Sequence, residues 1–127
     1  TSMGRVLLAA MPDEALAEYL DRVGLARLTA RTVASPAALR AELLRVRAQG
    51  YAIVDQELEE GLRSVAVGVR DRAGGVLAAV NLSAHASRTS VEAMRRELLP
   101  HLLAAAARIE ADLRVATATG RQANGVG

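Results

Sequence analysis

The chain contains no cysteine, no lysine, no phenylalanine and no tryptophan. Without cysteine it can form neither a disulfide framework nor a thiolate metal site. With two tyrosines as its only large aromatic side chains, it lacks the stacking platforms that bind single-stranded nucleic acid. No apolar run is long enough to cross a membrane, and no signal peptide is visible, so we expect a cytoplasmic protein with no membrane partner.

The motifs of common enzyme classes are also missing. The sequence contains no GxSxG, no HExxH and no phosphate-binding GxxxxGK[ST]. His85 and His101 are isolated, so we expect no metal site, and nothing indicates a cofactor. The one carboxylate cluster comprises Asp55, Glu57, Glu59 and Glu60. Such a cluster can serve acid–base chemistry or hold a hard cation, but no nucleophile or calcium loop accompanies it. We interpret it as a solvated acidic turn and expect no enzyme.

What is present indicates one folded domain. Of the 127 residues, 51% are hydrophobic and 24% are charged, which is ordinary for a globular protein with an aliphatic core. The net charge is +2, and the arginines are scattered among acidic residues, which indicates a solvated surface rather than a nucleic-acid interface. The last stretch, 116–127, is small, polar and glycine-containing, and we predict a flexible C-terminal tail after a domain at 1–115.

The most regular stretch, residues 61–83, predicts a β-hairpin around a turn at 72–75, where two glycines favour a tight reversal. Alternation along both strands predicts one branched, apolar face and one face of small side chains. The apolar face is predicted to hold Val65, Val67, Val69, Val76, Ala78, Val80 and Leu82.

The small-residue face carries polar side chains. Pairing Asp71 with Val76 places Ser64 opposite Ser83 and aligns Asn81 with Ala66. Small residues leave volume above a sheet, and converging hydroxyl and amide groups orient a guest, as in the floor of a small-molecule pocket. The alternative is that the small residues admit a closely packed helix while Asn81 and Ser83 cap nearby backbone.

Helices are predicted on both sides of the hairpin in the sequence. Apolar spacing and cap residues predict four helices, at 1–11, at 13–23, from Pro36 to Gly50, and from a capping box at 89–92 onward. The first of these is predicted to turn Val6, Leu7 and Ala10 inward. A further strand is predicted at 51–56. Pro100 lies inside the last helix, where we expect a kink or a break. Its predicted stripe is Val91, Met94, Leu98, Leu102, Ile109 and Leu113. The predicted fold is α/β (α+β): an antiparallel sheet with a central hairpin, flanked by helices.

Four stretches together resemble the effector-binding domain of the IclR family of bacterial transcription regulators. They are TSMGRVLLA at 1–9, GYAIVDQELEEGLRSVAVGVRD at 50–71, VLAAVNLSAHASR at 76–88 and LLPHLLAAAARIEADL at 98–113. The resemblance implies a GAF-like domain that binds a small organic or aromatic acid. The subgroup that governs the β-ketoadipate pathway is the most similar, which suggests a protocatechuate-like effector or another intermediate of that pathway.

The resemblance also implies a missing N-terminal part. Family members carry a winged helix-turn-helix domain and further strands before this point, so we expect a truncated effector domain that contacts DNA only through the absent domain. A sheet without those strands is expected to leave unpaired edges and to assemble as a homodimer or higher oligomer.

The family's ligand contacts map onto the start of the first helix, the start of the acidic segment and the last strands. We add Gly4 because the free N–H groups of a helix N-terminus attract a carboxylate. We also add Arg63 for its charge, although alternation points it to the opposite face. The predicted ligand-binding residues are Ser2, Met3, Gly4, Asp55, Arg63, Ser64, Asn81 and Ser83. The alternatives are a dimerisation or scaffold domain with a vestigial pocket, and a small enzyme that uses the carboxylates at 55–60.

Overall fold

A computed structural model describes residues 1–23 and 31–124, with side chains as far as residue 116. Residues 25–33 show no clear helix or strand period in the sequence, which predicts a connection, and most of them lie outside the described residues. The elements in chain order are α1 (Ser2–Ala9), α2 (Asp13–Arg22), α3 (Pro36–Gln49), β1 (Tyr51–Asp55), β2 (Leu62–Arg70), β3 (Val76–His85), α4 (Val91–Ala93), a π-helical turn (Met94–Leu98) and α5 (Leu99–Asn124).

The three strands form one antiparallel sheet in the order β1-β2-β3. Ser64 pairs with Ser83 and Ala66 pairs with Asn81, which confirms the predicted register. The predicted pairing of Asp71 with Val76 is wrong, because a bulge between Val69 and Arg70 makes Arg70 the partner of Val76. The turn takes up the extra residue: the Asp71 N–H donates to the Gly75 carbonyl at 2.8 Å.

Helices cover both faces of the sheet, as the α+β prediction requires. On one face, α1 and α3 pack against small strand residues and α2 packs against α3. The core there comprises Val6, Ala9, Leu16, Leu20, Leu39, Leu43, Val46, Ala52 and Ala66. On the other face, the π-helical turn and α5 pack against the valines of β2, and the core comprises Val65, Val67, Val69, Met94, Leu99, Leu102 and Ala106. The bulge also places Val76 beside the first of these cores rather than on the predicted apolar face.

The helix ends follow local sequence signals. The Thr1 hydroxyl accepts a hydrogen bond from the Gly4 N–H and the Ser35 hydroxyl accepts one from the Ala38 N–H, so both residues cap their helices. Gly50 ends α3 with a left-handed φ of 85°.

The buried face of α1 differs from the predicted one. Leu7 and Ala10 are exposed, and the buried side instead contains Ser2, Arg5, Val6 and Ala9. The prediction counted apolar residues only. It therefore missed Ser2 and Arg5, which are buried because they have polar partners elsewhere in the fold.

The C-terminal helix is irregular just before Pro100. The Leu99 N–H donates to the Met94 carbonyl, five residues earlier, whereas an α-helix joins residues four apart. This turn therefore contains one extra residue. Leu99 is therefore buried in place of the predicted Leu98, beside Met94, Leu102 and Ala106. The predicted Ile109 and Leu113 are exposed, because the core ends at Ala106.

The predicted flexible tail begins inside a helix. α5 continues through residue 116 to Asn124, where alanine, arginine and glutamine are all good helix formers. The division of the chain into a domain at 1–115 and a tail stays a prediction. Among the described helices, none is long and apolar enough to cross a membrane.

Candidate functional site

A cleft of about 120 Å³ lies where the N-terminus of α1 meets the small-residue face of the hairpin. Ser64 on β2 and Asn81 and Ser83 on β3 line it together, as strand alternation predicts. The start of α1 completes its polar wall. The full lining is Thr1, Ser2, Met3, Val54, Leu58, Leu62, Ser64, Asn81 and Ser83.

Two of the serines in the cleft are joined by a hydrogen bond. The Ser64 hydroxyl donates to the Ser2 hydroxyl oxygen over 2.9 Å, and Ser2 is only 2% exposed. A hydroxyl that accepts a hydrogen bond still has its own proton to donate. The pair therefore fixes α1 to β2 and keeps one O–H group for another acceptor, such as a carboxylate or a phenol oxygen.

The helix N-terminus contributes fewer donors than the sequence predicts. The Gly4 N–H is satisfied by the Thr1 side chain at 2.9 Å, and Gly4 does not line the cleft. The N–H groups of Ser2 and Met3 belong to the first helical turn and have no carbonyl one turn earlier to accept from them. The positive end of the helix dipole lies at the same point, so this edge of the cleft suits an anion.

The small-residue face packs against a helix at one end and borders an open cleft at the other, so each of its two predicted uses has a place on it. Near the turn, a Cβ on Gly68 would lie 3.2 Å from Val76 and 3.3 Å from Val6, so the missing side chain admits α1. At the other end, Ser64 and Asn81 border the open cleft. The helix therefore packs on one half of the face and leaves the polar half accessible.

Arg63 and Asp55 lie outside the cleft, on the other side of the sheet. Arg63 is only 9% exposed, and its Nε donates to Asp55 Oδ1 at 2.9 Å. The same guanidinium donates to the carbonyls of Ala86 and Thr89, so it ties β1 and β2 to the segment after β3. Arg31 also pairs with Asp55 at 2.9 Å. The structure thus gives both predicted residues a structural role.

The pKa of the Asp55 carboxyl reflects this pairing. Burial on its own would raise that pKa. The hydrogen bonds from Arg63 and Gln56, together with the charges of Arg63 and Arg31, outweigh burial and hold the pKa below its usual value. Asp55 is therefore a stable anion of an ion pair and a poor candidate for acid–base chemistry near neutral pH.

The acidic segment is a solvated turn, as the sequence predicts, only at Glu59 and Glu60, which are exposed. Asp55 and Glu57 are instead paired with arginines. The Arg5 guanidinium donates to both carboxylate oxygens of Glu57, with one of the distances 2.8 Å, and it also lies 3.8 Å from Glu42. The Thr32 hydroxyl donates to the Glu57 carbonyl. Among the described residues, no group of three or more histidine, cysteine or acidic side chains is placed to hold a metal ion.

The cleft also contains three apolar residues that the sequence analysis did not predict as site residues. Val54, Leu58 and Leu62 form its apolar walls. A signal was available for Leu58, because it is the one apolar residue within the otherwise polar run at 56–60. A ligand contact at the start of the acidic segment stays a prediction: Leu58 of that segment lines the cleft, and Asp55 does not.

Comparison with known proteins identifies relatives of this chain. The sequence model described as bacterial transcriptional regulator IclR C-terminal matches residues 1–111. The Pca regulon regulatory protein of Pseudomonas putida is 53% identical over 105 residues, which cover 83% of this chain and 36% of that protein. The HTH-type transcriptional regulator KdgR of Escherichia coli K12 is 40% identical over 113 residues, which cover 89% of this chain and 43% of that protein.

Solved structures agree with these relatives. A transcriptional regulator from Rhodococcus sp. RHA1 superposes with a TM-score of 0.87 at 49% identity, covering 89% of this chain and 46% of that one. The inducer-binding domain of a PobR double mutant from Acinetobacter, solved with 3-hydroxybenzoic acid, gives a TM-score of 0.82 at 30% identity, covering 87% and 63%. The chain thus spans less than half the length of the curated relatives named above.

Proposed function

Because the chain belongs to the IclR family of bacterial transcription regulators, matching its C-terminal domain, we propose that it senses a small organic acid in the cleft at the α1 N-terminus. In this proposal an aromatic carboxylate binds with its negative charge at the first turn of α1. Its ring lies against the apolar walls, and the serine hydroxyls and the Asn81 amide bind its polar substituents.

The observation that carries the proposal is the convergence of Ser2, Ser64, Asn81 and Ser83 beside a helix N-terminus. These groups come from three elements and from distant parts of the sequence, and apolar side chains surround them. The cleft volume of about 120 Å³ lies below the roughly 300–1,000 Å³ typical of sites for drug-sized ligands. This size favours an acid with a single ring.

The relatives support the aromatic class of ligand. One similar structure is an inducer-binding domain in complex with 3-hydroxybenzoic acid, and one similar protein regulates the Pca regulon. A protocatechuate-like acid, or another intermediate of the β-ketoadipate pathway, is therefore the ligand class that we propose to test first.

Isothermal titration calorimetry with 3-hydroxybenzoate, 4-hydroxybenzoate and protocatechuate tests the proposal. At least one of these acids is expected to bind. Replacing Asn81 by Leu should then weaken its binding by at least about 1 kcal/mol, because the substitution removes hydrogen bonds to a polar ligand. If the Asn81→Leu variant binds with unchanged affinity, Asn81 is not part of the site.

Gln49→Leu is the matched control, because it makes the same kind of change away from the cleft. The Gln49 amide donates to the Tyr51 carbonyl at 2.8 Å at the edge of the sheet. This variant should bind the acid as the unmodified chain does. If none of the acids binds, the alternative of a scaffold domain with a vestigial pocket is favoured.

The rest of the proposed function concerns the whole regulator. Ligand binding would change operator affinity through a DNA-binding domain outside these residues, in the bacterial cytoplasm where the chromosome lies. The chain itself would assemble as a homodimer or higher oligomer. We propose no catalytic activity, because the candidate site presents hydroxyl, amide and backbone N–H groups and no paired nucleophile and base.

A further inference from the structure

A second, larger cleft adjoins the candidate site. Its volume is about 370 Å³, and its apolar lining includes Leu8 and Tyr19. Thr1, Val54 and Leu58 line both clefts. Val54 is buried in the sheet and Thr1 caps α1, whereas the Leu58 side chain is 52% exposed and projects from the loop between β1 and β2. Leu58 is therefore the shared side chain that can be removed without opening the core.

The residues around Leu58 are held in place on both sides. Before it, the Glu57 carboxylate is bound by the Arg5 guanidinium, and the Glu57 carbonyl accepts from the Thr32 hydroxyl. Gln56 has a left-handed φ of 60°, and its side-chain oxygen accepts from the Gly61 N–H at 3.1 Å on the far side of the loop. These contacts fix the loop, so Leu58 stands at a defined position between the two clefts.

We infer that Leu58 is a partition that sets the size of the acid the site accepts. The inference rests on the proposed function, because it assigns specificity to the same cleft. With leucine in place, the polar site is limited to a cleft of about 120 Å³ and admits a single-ring acid. Truncation to alanine joins this cleft to the larger one of about 370 Å³, where Leu8 and Tyr19 give a fused second ring a surface to pack against.

Calorimetric titration of the unmodified chain and the Leu58→Ala variant with two probes tests this inference. The probes are 3-hydroxybenzoate, which has one ring, and 4-hydroxy-2-naphthoate, which keeps the hydroxyl meta to the carboxylate and adds a fused ring. The unmodified chain is expected to bind the benzoate and to bind the naphthoate at least tenfold more weakly. Leu58→Ala should bind the naphthoate at least tenfold more tightly than the unmodified chain does, with no tighter binding of the benzoate.

Leu44→Ala is the control, because Leu44 is similarly exposed at 47% but lies on α3 away from both clefts. It should keep the preference of the unmodified chain. The inference is overturned if the unmodified chain and Leu58→Ala bind the naphthoate equally well. It is also overturned if both proteins bind the benzoate and neither protein binds the naphthoate. If neither probe binds either protein, the inference fails, and the proposed function fails with it only if 4-hydroxybenzoate and protocatechuate do not bind either. Benzoate binding without the size switch removes the inference alone.

Discussion

At the scale of single residues, charge in this domain serves structure and uncharged polar groups form the candidate site. Arg5 and Arg63 are both buried, and each donates to a carboxylate from another part of the chain. Neither lines the cleft beside Ser64 and Asn81. The proposed anion site therefore uses hydroxyl, amide and backbone N–H donors. Such donors hold a carboxylate without a buried counter-charge that would need a partner in the empty state.

This division predicts that Arg63→Met lowers the stability of the domain and leaves its affinity for the acid unchanged. Removing one partner of a buried ion pair typically lowers the free energy of unfolding by roughly 3–5 kcal/mol. We expect a loss at or below the lower end of that range, because Asp55 keeps Arg31 and is 25% exposed. Urea unfolding followed by circular dichroism measures the loss. Affinity for 3-hydroxybenzoate, measured where the variant is folded, should not change, and a weakened affinity would place Arg63 in the site.

The same ion pair predicts a dependence of stability on pH. The pKa of Asp55 is lowered in the folded state, so its ion pair stabilises the fold fully above the ordinary aspartate pKa of about 3.9. The contribution is lost as pH falls through the lowered, folded-state pKa. The free energies of unfolding of the unmodified chain and Asp55→Asn are measured in urea at several pH values between 6 and 2.5. Their difference in stability should be constant above pH 5 and shrink below about pH 4, and a difference that grows on acidification would contradict the ion pair.

At the scale of elements, the parts specified by neighbouring residues could be predicted from the sequence. The hairpin register and the third helix follow from strand alternation and from caps at Ser35 and Gly50. The parts specified by distant partners could not. Ser2 is buried because Ser64, 62 residues later, donates to it, and no local pattern contains that contact.

The long C-terminal helix shows a further limit of periodic patterns. Pro100 predicts an irregularity, but its form, a π-helical turn that ends at Leu98, depends on how Met94 packs into the core. The extra residue brings Leu99 rather than Leu98 into the core, whereas Leu102 is buried as predicted. Ile109 lies on the same side of α5 as Leu102 and is exposed, because the core against this side of the helix ends at Ala106.

Gly50 allows the end of α3 to be tested separately from packing. Its φ is 85°, and a Cβ built at this position would have no atom within 4 Å. Gly50→Ala should therefore destabilise the domain by about 1–2 kcal/mol through backbone conformation alone. Gly50→Asn should lose less, because asparagine adopts left-handed conformations more readily. Urea unfolding of both variants is the measurement, and equal losses would show that the conformation of this residue is not the cause.

At the scale of the whole molecule, the two outer edges of the sheet differ. At β1, the Gln49 amide donates to the Tyr51 carbonyl, and the Arg95 side chain donates to the Tyr51 hydroxyl, so side chains partly cover that edge. Among the described residues, no strand pairs with the outer edge of β3. Leu77 on β3 is exposed, and so are Leu103 and other apolar residues of α5. Unpaired strand edges with exposed apolar side chains favour association with another chain.

These surfaces predict that the 127-residue chain is a homodimer or a higher oligomer in solution. Two-fold pairing is the commonest way for identical chains to cover such a surface, since each copy supplies the edge that the other lacks. Size-exclusion chromatography with light scattering at micromolar concentration measures the mass directly.

Leu77→Lys at the strand edge and Leu103→Arg on α5 then locate the contact, since a charge within it should shift the mass toward the monomer. Arg88→Lys, which keeps the charge of an exposed residue, is the control. A monodisperse monomer that unfolds in one cooperative transition would show that three strands and their helices close the core without a partner. The β3 edge would then be stable in water although no strand covers it.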